Sequence, residues 1–164
     1  MKKIILLFII AITGLVSNSC TQEVFFRNPA IQAEFNDRLW ITDKVAVTSQ
    51  KIDGYTYYFI QGIRGNETIT LRTTVLKTTT YDFGTSNSKT ATYSLKLGED
   101  EYLEYDTGLK RGSGFAKITK YDEEAQTISG NFEFEVINKN PLDTINAPKI
   151  IFKKGIFYNV PIYQ

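Results

Sequence analysis

Cysteine occurs once in the 164 residues, at Cys20, and histidine does not occur at all. Lacking histidine, the chain has neither the usual general base nor the commonest zinc ligand, and no Ser-His or Cys-His dyad can form. A single cysteine also excludes an internal disulfide. The groups left with chemical capacity are carboxylates, crowded in two runs: Glu99, Asp100, Glu101, Glu104 and Asp106, then Asp122, Glu123 and Glu124. Calcium needs about six to eight oxygens converging from a shaped loop, and neither run has EF-hand spacing. Both read as solvated turns, so no metal, other cofactor or catalytic residue is assigned. Two carboxylates facing each other across about 5 to 9.5 Å could hydrolyse glycosides, but the spacing marks no such pair. The segment from Gly108 to Gly114 is glycine-rich and basic. A phosphate-cradling loop would place Lys after its last Gly and open a helix, whereas here a strand pattern follows, so a hairpin loop is expected. Asp82-Phe83-Gly84 spells a kinase fragment without the catalytic loop that would give it meaning.

The charge balance, 19 basic against 18 acidic residues with a sequence pI near 7.7, provides no field for steering toward phosphate backbones. Nucleic acid is therefore not an expected partner. The start of the chain is more informative. Lys2 and Lys3 precede an apolar stretch from Ile4 to Val16, the pattern of a signal-peptide core. Crossing a bilayer needs about 20 apolar residues, and Ser17, Asn18 and Ser19 end the run too soon. Ser19-Cys20 at this boundary resembles the lipobox of bacterial lipoproteins, in the relaxed form of Bacteroidota-type cells, because Ser17 and Asn18 stand where an aliphatic and a small residue are usual. The resemblance implies that residues 1–19 are a cleaved leader, that the Cys20 thiol carries diacylglycerol and that the new amino terminus is acylated with a palmitate-like chain. Residues 20–29 would then be a lipidated tether, and the membrane a partner through Cys20 in the bacterial outer membrane. Each buried CH₂ of such an anchor contributes about 0.8 kcal/mol. Thr21-Gln22-Glu23 lacks the acidic cluster that resembles an export tag, which favours the periplasmic face.

What must position any site is a single β domain over residues 30–164. A domain of about 150 residues buries around 70% of its unfolded surface, enough for a core without staples. Apolar residues alternate with polar ones through most of it. Phe132, Phe134 and Val136 oppose Glu133 and Glu135; Ala91, Tyr93, Leu95 and Leu97 oppose Thr92, Ser94 and Lys96. Further strands are expected at Ile31–Phe35, Leu39–Ile41, Val45–Ser49, Tyr55–Ile63, Leu103–Asp106, Phe115–Tyr121, Lys149–Lys153 and Ile156–Ile162, with another around Ile69 and Leu71. Asp53-Gly54 suits a type I′ hairpin, and Gly65-Asn66 suits its mirror-related alternative. About eight to ten short antiparallel strands without a helix predict a β-sandwich or a closed barrel.

Gly114-Phe115-Ala116-Lys117-Ile118-Thr119, Asp122, Ile128-Ser129-Gly130-Asn131-Phe132-Glu133-Phe134 and Gly155-Ile156-Phe157 together resemble a family of small Bacteroidota-type lipoproteins catalogued as a domain of unknown function. Asn28 to Ala33 and Leu39-Trp40 are similar to the start of that domain. The resemblance implies a fold and an address but no catalytic residue.

The reading of function that follows is a non-enzymatic binding or structural module of the cell envelope, partnered by an envelope protein or glycan. Trp40, Tyr55, Tyr57 and Tyr58 form the candidate binding surface, since Tyr and Trp join apolar area to a polar handle. An alternative is a lipocalin-like carrier whose barrel, lined by Tyr57, Phe59, Phe132 and Phe134, holds an apolar ligand. A carboxylate-based hydrolase is the third. Asp143-Thr144-Ile145 is similar to a short acceptor pattern for O-glycosylation, which would place a glycan on Thr144.

Overall fold

The computed structural model describes residues 29–163, so the expected leader, Cys20 and most of the tether lie outside the described residues. Alternating side chains build eleven strands: β1 (Ala30–Phe35), β2 (Arg38–Ile41), β3 (Lys44–Ile52), β4 (Tyr55–Arg64), β5 (Glu67–Thr73), β6 (Thr80–Phe83), β7 (Thr90–Lys96), β8 (Tyr102–Asp106), β9 (Ser113–Asp122), β10 (Thr127–Asn138) and β11 (Lys149–Pro161). All ladders between them are antiparallel, in the order β2-β1-β11-β10-β8-β7-β5-β4-β3, with β9 added on β10 and β6 on β9. Among the described residues no helix is long and apolar enough to cross a membrane.

The sheet divides at β10. Its first part, Thr127 to Glu135, pairs with β9, whereas Ile137 and Asn138 pair with β8. Two leaves therefore diverge from one strand and fold over a common core. On the far side β3 returns to the end of β11, where Val47 meets Ile162 in an isolated parallel bridge and the Tyr163 N–H donates to the Val47 carbonyl at 2.8 Å. A single bridge is not a ladder. The sheet is thus a sandwich-like roll and not a closed barrel, because β3 has a continuous partner only in β4.

Both expected hairpins form. Asp53 and Gly54 take φ of 50° and 84°, as a type I′ turn requires, while in Gly65-Asn66 only Gly65 is positive, at 54°. Two expectations change. Lys149–Lys153 and Ile156–Ile162 belong to one strand, because an extra residue at Lys154, with φ of 49°, bulges the ladder without ending it. β6 also adds a strand where serines and threonines hide the alternation.

The glycines of the family-like motif match ring positions across the β10–β11 ladder. Gly130 pairs with Phe157, and Phe132 pairs with Gly155. Each ring lies over the opposing glycine: a Cβ on Gly155 would come 2.5 Å from the Phe132 ring, and one on Gly130 would collide with the Lys117 carbonyl and the Phe157 ring. The rings continue inward to Phe152, whose centroid is 4.7 Å from Phe35, 5.0 Å from Phe134, 5.5 Å from Tyr93 and 5.8 Å from Trp40. Such pairs contribute about 0.5–1.5 kcal/mol each beyond the area they bury.

Candidate functional site

The residues expected to form an aromatic binding surface are dispersed. Trp40 is fully buried; its indole N–H donates to Glu67 Oε2 at 2.9 Å, and the Tyr93 hydroxyl donates to the other carboxylate oxygen at 2.8 Å. One carboxylate thus satisfies both polar tips of a buried aromatic cluster, which is why Trp40 can lie in the core. Burial, then the Glu67 bond, holds the Tyr93 hydroxyl well above the usual phenol range. Tyr58 packs against the core, and Tyr57 faces outward beneath the Arg72 guanidinium, 5.3 Å from its ring centre. Only Tyr55, 70% exposed beside the β3–β4 turn, projects into water.

The carrier lining does not assemble either. Phe132 and Phe134 are buried and stack on one another at 5.7 Å. Phe59, like Tyr57, lies on the face of β4 opposite buried Ile60. The rings that would have lined a ligand chamber are either close-packed or outside it.

The glycine-rich loop is braced instead of free. Gly108 and Arg111 exchange backbone hydrogen bonds at 2.8 and 3.1 Å, the Lys110 N–H donates to the Gly84 carbonyl at 2.9 Å, and the Leu109 N–H donates to Asn87 Oδ1 at 2.8 Å. Arg111 is ion-paired with Asp106, while burial raises the Asp106 carboxyl above its ordinary value despite that cation.

A different segment stands out, the connection between β10 and β11. Its bends are made by Asn and Asp side chains that accept from their own backbone. Asn138 Oδ1 accepts from Asn140 N at 2.9 Å, Asn140 Oδ1 from Leu142 N at 3.1 Å, and Asp143 Oδ1 from the N–H groups of Ile145 and Asn146, both at 3.0 Å. Asp143 Oδ2 accepts from the side-chain amides of Asn138 and Asn146 at 2.9 and 2.8 Å. These donors, the Asn146 N–H foremost, hold the Asp143 carboxyl far below the usual carboxylate range. The base of the loop is tied by Lys139, whose N–H reaches the Glu104 carbonyl at 2.9 Å and whose Nζ reaches the Glu104 carboxylate at 2.6 Å.

This framework presents Leu142 and Ile145 to water, 86% and 93% exposed, with Thr144 exposed between Asp143 and Ile145. Beside them opens a cleft of about 350 Å³ lined by Leu97, Tyr102, Asn138, Asn140, Asp143 and Asn146. Leu97 and Tyr102 are themselves 55% and 52% exposed. Glu101 and Glu104 also border the cleft. Asp143 is committed to its four donors and Glu104 to Lys139, so the arrangement suits recognition better than proton transfer. Among the described residues no three acidic or sulfur ligands are grouped to hold a metal. The spacing Asn138-x-Asn140-x-x-Asp143-x-x-Asn146 between two strands is the sequence signal for this loop, because Asn and Asp fold back on the N–H two residues on.

Fold and loop define an all-β roll that carries one self-braced, apolar-tipped connection. The chain belongs to the family described as a domain of unknown function, DUF6252, whose model matches residues 27–161. No curated protein and no solved structure matches it.

Proposed function

We propose that this protein is a lipid-anchored component of the bacterial cell envelope, held at the outer membrane through Cys20, that works without catalysis by binding an envelope protein or glycan at the β10–β11 loop. The observation that carries the binding reading is the pairing of order with exposure. Four side chains fix the loop, and the result is two aliphatic side chains left in water. An aliphatic chain of this size contributes about 1.5–3 kcal/mol when fully buried, so covering Leu142 and Ile145 would favour association substantially. Loops that are rigid and apolar at the tip are suited to recognition. The carrier alternative loses support from the outward-facing Tyr57 and Phe59, and a carboxylate hydrolase loses it from the prior commitments of Asp143 and Glu104. Thr144 is placed where a glycosyltransferase could reach it, and a glycan there would enlarge or mask the same surface.

Photo-crosslinking in intact cells tests the proposal, with the reactive group at position 142 and, as a control, at Lys120 on β9. A discrete adduct from 142 that disappears with Ile145→Asp supports the reading; equal, diffuse labelling from both positions removes it. The mature protein's intact mass reports acylation at Cys20 and any glycan on Thr144.

A further inference from the structure

We infer that the roll stands end-on upon the lipid surface, with the β3–β4 turn in the headgroup layer, Tyr55 as its contact, and the β10–β11 loop pointing away. The inference rests on the lipid anchor at Cys20 proposed above and adds an orientation that the anchor alone does not supply.

Strand register carries it. β1 is antiparallel to β11 and enters with Ala30 opposite Tyr158, so the chain from the tether arrives from the side toward which β11 runs. β11 ends at Pro161, and Ile162 meets Val47 of β3 in parallel, so β3 runs the same way. β3 then continues five residues past Val47 to Ile52 and turns at Asp53-Gly54. That hairpin therefore overhangs the end from which the tether comes. At the opposite end Lys149 pairs with Ile137, nine residues down β11 from Tyr158, which is about 30 Å at about 3.3 Å per residue.

Chain length decides between the two ends. Ten peptide steps join Cys20 to Ala30 and span at most about 35 Å when fully extended. Reaching a membrane at the β3–β4 end requires no reversal. Placing the β10–β11 loop on the membrane would require the tether to turn back and spend nearly all its reach running down the outside of the roll.

The chemistry at the overhanging end suits headgroups. Tyr55 is 70% exposed and pairs across the hairpin with Ile52; Tyr163, 59% exposed, is held against Val47. Tyrosine settles where an apolar ring meets polar headgroups, and the adjacent exposed Lys51 can lay its stem along the surface with its charge in the phosphate layer. Glu123 and Glu124 occupy the β9–β10 turn, which projects from Thr127 toward the same end, with Gln126 level with Ile162 and so with Val47, where the overhang of β3 begins. These two carboxylates stand back from the tip of the longer hairpin, where Lys51 accompanies the turn's own acid, Asp53.

Acylation consumes the thiol of the sole cysteine, so one introduced cysteine is uniquely labelled. The test uses the full lipidated protein in vesicles of phosphatidylethanolamine and phosphatidylglycerol containing a headgroup spin-labelled lipid. Separate Tyr55→Cys and Leu142→Cys variants carry the same fluorophore, and Cys20→Ala serves as the anchor control. The orientation predicts quenching several-fold stronger at position 55 than at 142. Equal quenching, or stronger quenching at 142, in protein that sediments with vesicles overturns the orientation and leaves the anchor standing. Undiminished sedimentation of Cys20→Ala with vesicles overturns the anchor instead, and its loss supports the anchor.

Discussion

Glu67 illustrates how one side chain determines where an aromatic residue can live. Leu39-Trp40-Ile41 is too short for alternation to reveal its phase, and the acceptor that allows Trp40 inward lies 27 residues away on another strand. Trp40 was therefore readable as an aromatic but not as a buried one. Trp40→Phe, which retains a ring but loses the indole donor, is expected to cost about 1 kcal/mol in urea denaturation, against about 3–5 kcal/mol for Trp40→Ala. Tyr93 adds a pH dependence. Its folded pKa lies above the ordinary 10.0, so its contribution is fully present below that value and is lost as pH rises through the folded one. Denaturant midpoints should fall on the alkaline side of pH 10, and Tyr93→Phe should remove part of the slope. Asp143 has the opposite sign: its folded pKa lies below the ordinary 3.8, so its contribution is complete above 3.8 and fades as pH falls through the folded value. Amide exchange at Leu142 and Ile145 should stay slow at mildly acidic pH and quicken only in stronger acid, whereas Asp143→Ala should quicken it at neutrality.

At the scale of elements, alternation was a sound guide to wherever one face is wet and one dry. β10 reads cleanly because Glu133 and Glu135 separate Phe132, Phe134 and Val136. β6 does not, because only Tyr81 and Phe83 alternate within four residues. Gly155 resembles a break between two strands until the ladder shows that it is the seat for the Phe132 ring. Ring-over-glycine pairing of this kind pins register, because a one-residue slip would set each ring against a side chain. Gly155→Ala should therefore destabilise the fold by about 1–3 kcal/mol, the usual range for overpacking. In a double-mutant cycle with Phe132→Leu the two changes should cost less together than their sum, since the smaller side chain makes room for the methyl group. Additive costs would mean that the two positions do not meet. The β10–β11 loop was equally open to reading, but as a run of Asn and Asp it resembles any solvated connection until its acceptors are matched to particular N–H groups.

For the whole molecule, the length of the roll separates the entry of β1 from the β10–β11 loop. One end receives the tether, and the other carries Leu142, Ile145 and the cleft. Cys20→Ala should move the protein from the membrane to the soluble fraction without altering its melting temperature, while Ile145→Asp should leave both fractionation and melting unchanged and abolish the adduct formed from position 142. No sequence pattern disclosed where the strand order departs from chain order, most of all at β1 beside β11, a pairing between the chain's first and last thirds. β1 lies between β2 and β11, and β11 in turn joins β1 to β10. The strand that lies between β1 and β10 is the last of the described strands in chain order. A nascent chain therefore holds β1 with only the short β2 beside it, its other edge unpaired, until β11 arrives. Contacts so distant along the chain form slowly, which prolongs the time the chain spends unfolded. Deleting the last few residues should accordingly impair maturation far more than clipping a surface turn.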